Sequence, residues 1–289
     1  MSSILRTIGA RLKKIAQARV RFPVIMVLLL LLGYSFLEPF WIEEKKIIFP
    51  SADVPAAFDG YKIVFVSDIH YGPFFSLDRV RSLVDRINAQ NPDLVLLGGD
   101  YVHRDARYIK PCFEELARIK AMDGVFGVLG NHDHWEEAEL TRSEMKRAKI
   151  VDLDNNAVWV SKNGDKIKLG GIGDFFEDKQ IIEPTVKDVS ENDFVLLVSH
   201  NPDPVETLPP NIIDLVLSGH THGGQVSFFG LWAPLIPSMY GQKYRTGIVK
   251  TDATTVIISN GIGTITPPVR FFVRPQLLII ELKKESSSR

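Results

Sequence analysis

An α/β fold on a largely parallel sheet is what the sequence predicts, and three observations predict it. Between residues 62 and 148, short apolar strands alternate with amphipathic helices, the pattern that right-handed crossovers turn into parallel pairing. Residues 94–97 are apolar without interruption, as a strand covered on both faces should be. Each predicted strand stops at polar residues able to do chemistry, and in such sheets ligands collect at the carboxyl ends of the strands.

The first residues stand apart from this pattern. Residues 1–21 carry Arg6, Arg11, Lys13, Lys14, Arg19 and Arg21 and no acid, while Ile4, Leu5, Ile8, Leu12 and Ile15 share one helical face. That is a basic amphipathic segment suited to an anionic leaflet. Residues 22–37 are uncharged and would form a helix of about 24 Å, with Phe40, Trp41 and Ile42 at the far interface. Residues 22–42 therefore read as a membrane anchor. A cleaved signal peptide is an alternative, though no small-x-small cleavage site follows the run, and a buried soluble helix is a third. The positive-inside rule places the amino terminus in the cytoplasm and the remainder across the membrane. A run that dips into one leaflet would keep the remainder cytoplasmic, and both orientations stay open. Residues 43–60, with Pro50, Pro55, Asp59 and Gly60 as breakers, read as a linker.

The globular part, residues 61–283, follows. A strand at 62–67 ends in Asp68-Ile69-His70, and Ser76 can cap a helix at 77–88 whose Val80, Leu83, Val84 and Ile87 form one stripe. The strand at 94–97 runs into Gly98-Gly99-Asp100, and a helix at about 108–120 follows. A strand at 124–129 delivers Gly130-Asn131-His132-Asp133, ahead of a helix at about 136–148. Asn163-Gly164 signals a hairpin between 157–161 and 166–169. The strand at 194–198 ends in Ser199-His200, and the run at 212–217 leads to Gly219-His220-Thr221-His222-Gly223-Gly224. Shorter strands at 255–258 and 277–282 precede a polar tail, 284–289.

Two histidines one residue apart on an extended segment point the same way, so His220 and His222 read as a joint binding element. A pair of surface histidines in a turn is the plainer alternative. Together, Asp68, His70, Asp100, Asn131, His200, His220 and His222 supply carboxylate, imidazole and one amide oxygen, a donor set for Mn, Fe or Zn. Asp100, ending a central strand, can bridge two ions, an arrangement that activates water and neutralises oxygens in a displacement at phosphorus. His103 and His134 read as ordinary satisfied or solvent-facing histidines, and Asp174 as a turn residue. A formal net charge of -1 argues against a nucleic-acid binder, and the one cysteine, Cys112, excludes an intramolecular disulfide.

These motifs resemble the five-block signature of calcineurin-like metallophosphoesterases: Asp68-x-His70, Gly99-Asp100, Gly130-Asn131-His132-Asp133, His200 and Gly219-His220-x-His222. Gly223-Gly224-Gln225 and the run Pro267-Pro268-Val269-Arg270-Phe271-Phe272 look most like the membrane-associated YkuE/YaeI branch, related to the UDP-2,3-diacylglucosamine pyrophosphatases of lipid A synthesis. The resemblance implies a four-layer α/β sandwich of two mixed β-sheets flanked by helices, preceded here by one N-terminal membrane helix. It implies two divalent metal ions, Mn first, with Fe or Zn as alternatives. One would be held by Asp68, His70, Asp100 and His222, the other by Asp100, Asn131, His200 and His220. His132 would face the substrate as phosphate ligand or general acid. Asp133 is the nearest residue to orient it, with Asp105 a rival, and His103 stands where some members carry an acid.

Residues 226–240 are rich in Phe, Trp, Leu, Ile and Met, lack charge, and directly follow the histidine pair. They read either as a loop over the core or as an apolar loop that meets acyl chains or the bilayer. Lys243, Arg245, Arg270 and Arg274 are candidates to pair with phosphate. The expected protein is a hydrolase of a phosphodiester or pyrophosphate, anchored in a bacterial cytoplasmic membrane, with a lipid-linked phosphoester as its partner. A phosphodiesterase for soluble substrates and a non-catalytic membrane scaffold are the alternatives.

Overall fold

Strand β2 (Lys62–Val66) shows how the layers arise. Ile63 and Phe65 enter one apolar core, Val64 and Val66 another, because successive strand side chains point to opposite faces. A sheet that is apolar on both sides needs a layer on each. The computed structural model, which describes residues 21–285, supplies both.

The first sheet runs β1 (Glu43–Ser51), β12 (Gln276–Lys284), β2, β3 (Leu94–Leu97), β4 (Val125–Gly127) and β5 (Ile150–Asp152). Strands β2 to β5 are parallel, β12 is antiparallel to β2, and β1 is parallel to β12. The second runs β10 (Gly247–Lys250), β11 (Thr255–Ile258), β9 (Leu215–Ser218), β8 (Val195–Val198), β7 (Asp165–Gly171) and β6 (Asn156–Lys162). Its four central strands are parallel and its two edges antiparallel. Phe65, Leu96 and Phe126 of one sheet and Leu169, Leu196 and Leu217 of the other share the core between them. Helices α2 (Leu77–Ala89), α3 (Ile109–Leu116) and α4 (Asn131–Arg147) cover the outer face of the first sheet through Val80, Leu83, Phe113 and Met145. Helix α5 (Glu183–Val186) and the Tyr244 region cover the second. This is the expected sandwich of two mixed sheets flanked by helices.

Helix α1, residues 21–37, projects from this body with its apolar side chains exposed. With the short turn after it, the apolar stretch Arg21–Phe40 is long enough to cross a membrane. The basic segment 1–21 lies outside the described residues except for Arg21, as does most of the polar tail.

Three local readings change. Residues 43–51, taken as linker, form edge strand β1, pairing with β12 along its whole length. Lys45, Ile47 and Phe49 alternate with outward residues, and Pro50 is tolerated because an edge strand leaves one side of its ladder open. Helix α4 begins at Asn131 rather than near 136, so Asn131, His132 and Asp133 occupy its first turn. Finally, His220 and His222 do not lie on an extended segment. Both have positive φ (66° and 52°), and their side chains diverge.

Candidate metal centre

All seven predicted donors are buried and meet at the carboxyl ends of strands from both sheets. They form two adjoining groups: Asp68, His70 and His222, and Asp100, His200 and His220. Within the first, His70 Nε2 lies 3.0 Å from His222 Nε2, which is 3.3 Å from Asp68 Oδ1. Within the second, His220 Nδ1 lies 3.2 Å from His200 Nε2, itself 3.3 Å from the Asn131 amide oxygen. Asp100 joins them. Its Oδ2 is 3.5 Å from His70 Nε2 and 3.3 Å from His200 Nε2, while Oδ1 accepts the His132 backbone N–H at 2.8 Å. One carboxylate oxygen is thus fixed by the backbone, and the other faces both groups.

The backbone is bent to achieve this. Asp68, His70, Asp100, His220 and His222 all take positive φ, a region that non-glycine residues enter only when the surroundings hold them there. Asp133 is one such restraint. Its carboxylate accepts the backbone N–H groups of Asp100 (2.7 Å), Tyr101 (2.9 Å) and Gly130 (2.9 Å), locking the loop after β3 to the start of α4. Gly130 itself leaves no room for a side chain, because a Cβ there would collide with Asp100 and His200. The Asp68 carboxylate caps the His220 N–H at 3.0 Å, and the His200 Nδ1–H donates to the Gly98 carbonyl at 2.7 Å, leaving Nε2 to face the centre.

Electrostatics suit a cation. Burial pushes the His70 and His222 imidazoles well below their ordinary pKa and His220 down to about 3, so their inward nitrogens keep lone pairs at neutral pH. Burial would raise the Asp100 carboxyl, but His200 beside it holds it well below the usual range and ionised. The opposite ring nitrogens, His70 Nδ1, His220 Nε2 and His222 Nδ1, are buried without hydrogen-bond partners. The neutral His70 and His222 rings present nitrogens to each other at 3.0 Å, a contact that a divalent cation relieves. Against burial, Asp100 holds the His200 imidazole well above its ordinary pKa, so a positive charge already sits where a second cation would. The residues fit two such ions.

Around this centre the roles shift. The side chain in polar contact with the His132 ring is His103, Nδ1 to Nδ1 at 3.2 Å, and not Asp133 or Asp105. Burial, then the neighbouring His132, pushes His103 down to about 4, so it meets His132 as a neutral ring. Trp135 packs on His132 with ring centroids 4.6 Å apart, and Phe176 on His220 at 5.6 Å. Asp174 closes a turn by accepting the Phe176 N–H at 2.9 Å. His134 faces Asp154 and Asp178, but Arg142 already pairs with both carboxylates at 3.0 and 3.8 Å.

Arg270 is neither a phosphate ligand nor solvated. It is fully buried and donates to the carbonyls of Asn260 (2.7 Å), Gly261 (3.2 Å), Gly263 (2.6 Å) and Val273 (3.1 Å). The loop it gathers packs against Asp68, with Gly263 N–H on the Asp68 carbonyl at 2.7 Å. Sequence reasoning missed this role because a buried arginine facing only carbonyls leaves no carboxylate partner to find in the sequence. Lys243 pairs with Glu206, while Arg245 and Arg274 donate to the Gly230 and Trp41 carbonyls at 2.6 and 3.0 Å.

Comparison with known proteins places this geometry. Residues 61–224 match the family model described as calcineurin-like phosphoesterase. Over 258 residues the chain is 30% identical to YkuE of Bacillus subtilis (strain 168), named an uncharacterized metallophosphoesterase, covering 87% of this chain and 89% of that one. It is also 30% identical over 258 residues to phosphodiesterase YaeI of Escherichia coli (strain K12), covering 86% and 92%. Among solved structures, the NAD nucleotidase of Haemophilus influenzae aligns with a TM-score of 0.46 and 16% identity over 70% of this chain and 45% of that one.

Proposed function

The chain belongs to the calcineurin-like phosphoesterase family and is a metal-dependent phosphoester hydrolase; from that premise we propose that it is membrane-anchored and cleaves a lipid-linked phosphodiester or pyrophosphate. One observation carries the catalytic reading. A single oxygen of Asp100 reaches the ring nitrogens of both donor groups, at 3.5 and 3.3 Å.

Asp68, His70, Asp100 and His222 would hold one divalent cation, and Asp100, Asn131, His200 and His220 the other. Manganese is the first choice, with iron and zinc also compatible with the donors. Bound there, two such ions supply an activated water and neutralise charge developing on phosphorus-bound oxygens. The protein's own part is positional. Asp133 and Gly130 fix the α4 start, which sets His132 beside the donors, and His103 restrains the His132 ring. His132 then protonates the departing oxygen, the step a positioned acid accelerates. The name of the Escherichia coli relative, phosphodiesterase, supports a diester over a monoester.

Purified, Mn-loaded protein is expected to hydrolyse bis-p-nitrophenyl phosphate. A fully loaded protein inactive on every phosphoester would instead be a scaffold. Replacing His103 by Leu should lower kcat about tenfold with KM unchanged, a part of the roughly 10²–10⁴-fold that an oriented acid provides. His103→Asn, which keeps a polar partner for His132, should recover much of that loss. A variant with a lowered unfolding temperature and unchanged kcat per folded molecule would show that His103 serves folding and not orientation.

The lipid assignment rests on the apolar loop at 226–240, which starts four residues after His222, and on α1. A nucleoside-diphosphate-linked acylated sugar of lipid A synthesis is the specific form proposed, with the protein in a bacterial cytoplasmic membrane. Serine at both Trp232 and Leu235 should cut turnover of a diacylated substrate about tenfold or more, since each buried large side chain contributes about 1.5–3 kcal/mol. Bis-p-nitrophenyl phosphate hydrolysis should be unchanged. Equal loss on both would favour a soluble substrate.

A further inference from the structure

The end of α1 is not a flexible tether. The Arg270 backbone N–H donates to the Ser35 carbonyl at 3.0 Å, and the Arg79 guanidinium donates to the Pro39 carbonyl at 2.5 Å while packing 4.5 Å from Phe40 and 4.0 Å from Phe75. The Tyr34 ring sits 5.7 Å from Phe271 and 5.6 Å from Phe272. Direction of the helix and orientation of the catalytic body are therefore locked together.

The apolar loop is equally fixed at its base. Asp203 accepts from Ser238 Oγ (2.6 Å) and Met239 N (2.8 Å), and Gln242 pairs with both backbone groups of Ala233 (3.3 and 2.6 Å). Its tips point outward all the same: Phe229 is 76%, Leu231 82%, Leu235 78% and Met239 73% exposed. The Phe229 ring lies 5.2 Å from Phe272, itself 5.6 Å from Tyr34, so aromatic contacts link the loop to α1. Soluble monomers rarely expose a patch of this kind. Here polar clamps hold it in shape beforehand, so burying it would cost little ordering entropy. A cavity of about 360 Å³ beside Phe229 and Tyr34 is bordered by Lys45, Arg245 and Arg274 together with Glu38 and Glu43, so three cations against two carboxylates stand at the level of the headgroups.

We propose that the loop from Phe228 to Tyr240 is a bilayer-docking surface that seats in the headgroup–acyl boundary of the same membrane α1 enters. This rests on the reading of α1 as an anchor. The rigid joint then fixes the catalytic body flat on the bilayer, with the metal centre at the lipid surface and open to phosphoesters that never leave it.

The test uses the full chain in vesicles of phosphatidylcholine and phosphatidylglycerol, carrying an environment-sensitive fluorophore on one introduced cysteine. Cys112 is buried, and burial pushes its thiol up, so it does not compete for the label. Four positions are compared: Leu29→Cys in α1, Leu235→Cys and Leu231→Cys in the loop, and Met122→Cys, which is exposed near the amino-terminal end of β4. With lipids brominated on the acyl chain, the loop labels should lose about half the emission lost at Leu29, as expected for burial of roughly 5–10 Å. The Met122 label should lose none. Loop labels that behave like Met122 while Leu29 is quenched would overturn the docking and leave the anchor. An unquenched Leu29 label would overturn the anchor reading itself. Loop labels shielded from water yet untouched by bromine would assign the face to a second copy of the chain and overturn the proposal.

Discussion

Asp100→Asn should leave the protein folded and lower phosphodiester turnover by about 10³-fold or more, the loss expected when a bridging charge is removed from a two-ion site. The substitution is chosen for its backbone. Asp100 has φ of 56°, and asparagine is one of the few residues that accept the left-handed region. The amide can still accept the His132 N–H that Oδ1 now receives at 2.8 Å, so α4 keeps its start. What disappears is the anionic Oδ2 between His70 and His200. Circular dichroism and thermal unfolding should match wild type while hydrolysis of bis-p-nitrophenyl phosphate falls away. An Asn variant that retains a tenth of the activity would mean that Asp100 does not join the two groups.

The second large effect is structural. Arg270→Met should destabilise the fold by about 3–5 kcal/mol, the range found when one partner of a buried charged network is deleted. Four carbonyls, of Asn260, Gly261, Gly263 and Val273, would lose their donor in a place water does not reach. At about 2–4 °C per kcal/mol for a protein near this size, Tm should fall by roughly 10 °C. The loop carrying these carbonyls lies against Asp68, so metal affinity should drop as well. Arg270→Lys should recover part of the stability and not all, because an ammonium cannot span four acceptors as the guanidinium fork does. A Met variant of wild-type stability would show that the carbonyls find other donors.

Much of the fold could be read from the chain because its central strands are short, apolar and abruptly ended. Residues 94–97 and 215–217 have no choice but burial, and Asp100 and His220 each come three positions after the run ends. The edges were harder. Strand β1 mixes Glu43, Glu44, Lys45 and Lys46 with only a few apolar residues, and β5 and β10 are short, so none carries a strong period-two signal. The expected direction of His220 and His222 rested on an extended backbone. A turn with positive φ at both residues sends the first to the Asp100 group and the second to the Asp68 group.

The residues that meet at the candidate centre were legible because each follows a short apolar strand within a few positions. The supports were not. Nothing local distinguishes Asp133, bound by three backbone N–H groups, from an acid that orients His132 one residue away. The contact of His132 with His103, 29 positions apart, depends on how the loop after β3 crosses the start of α4. Arg270 was concealed for the same reason, since its acceptors are main-chain oxygens that every sequence possesses.

Two cations sharing Asp100 are the core of the proposed chemistry, and counting them is the direct test. Wild-type protein dialysed against Mn²⁺ and then assayed by elemental analysis should hold two ions per chain, and Asp100→Asn at most one. A wild type that binds none or one, or an Asn variant that still binds two with unchanged affinity, would contradict it.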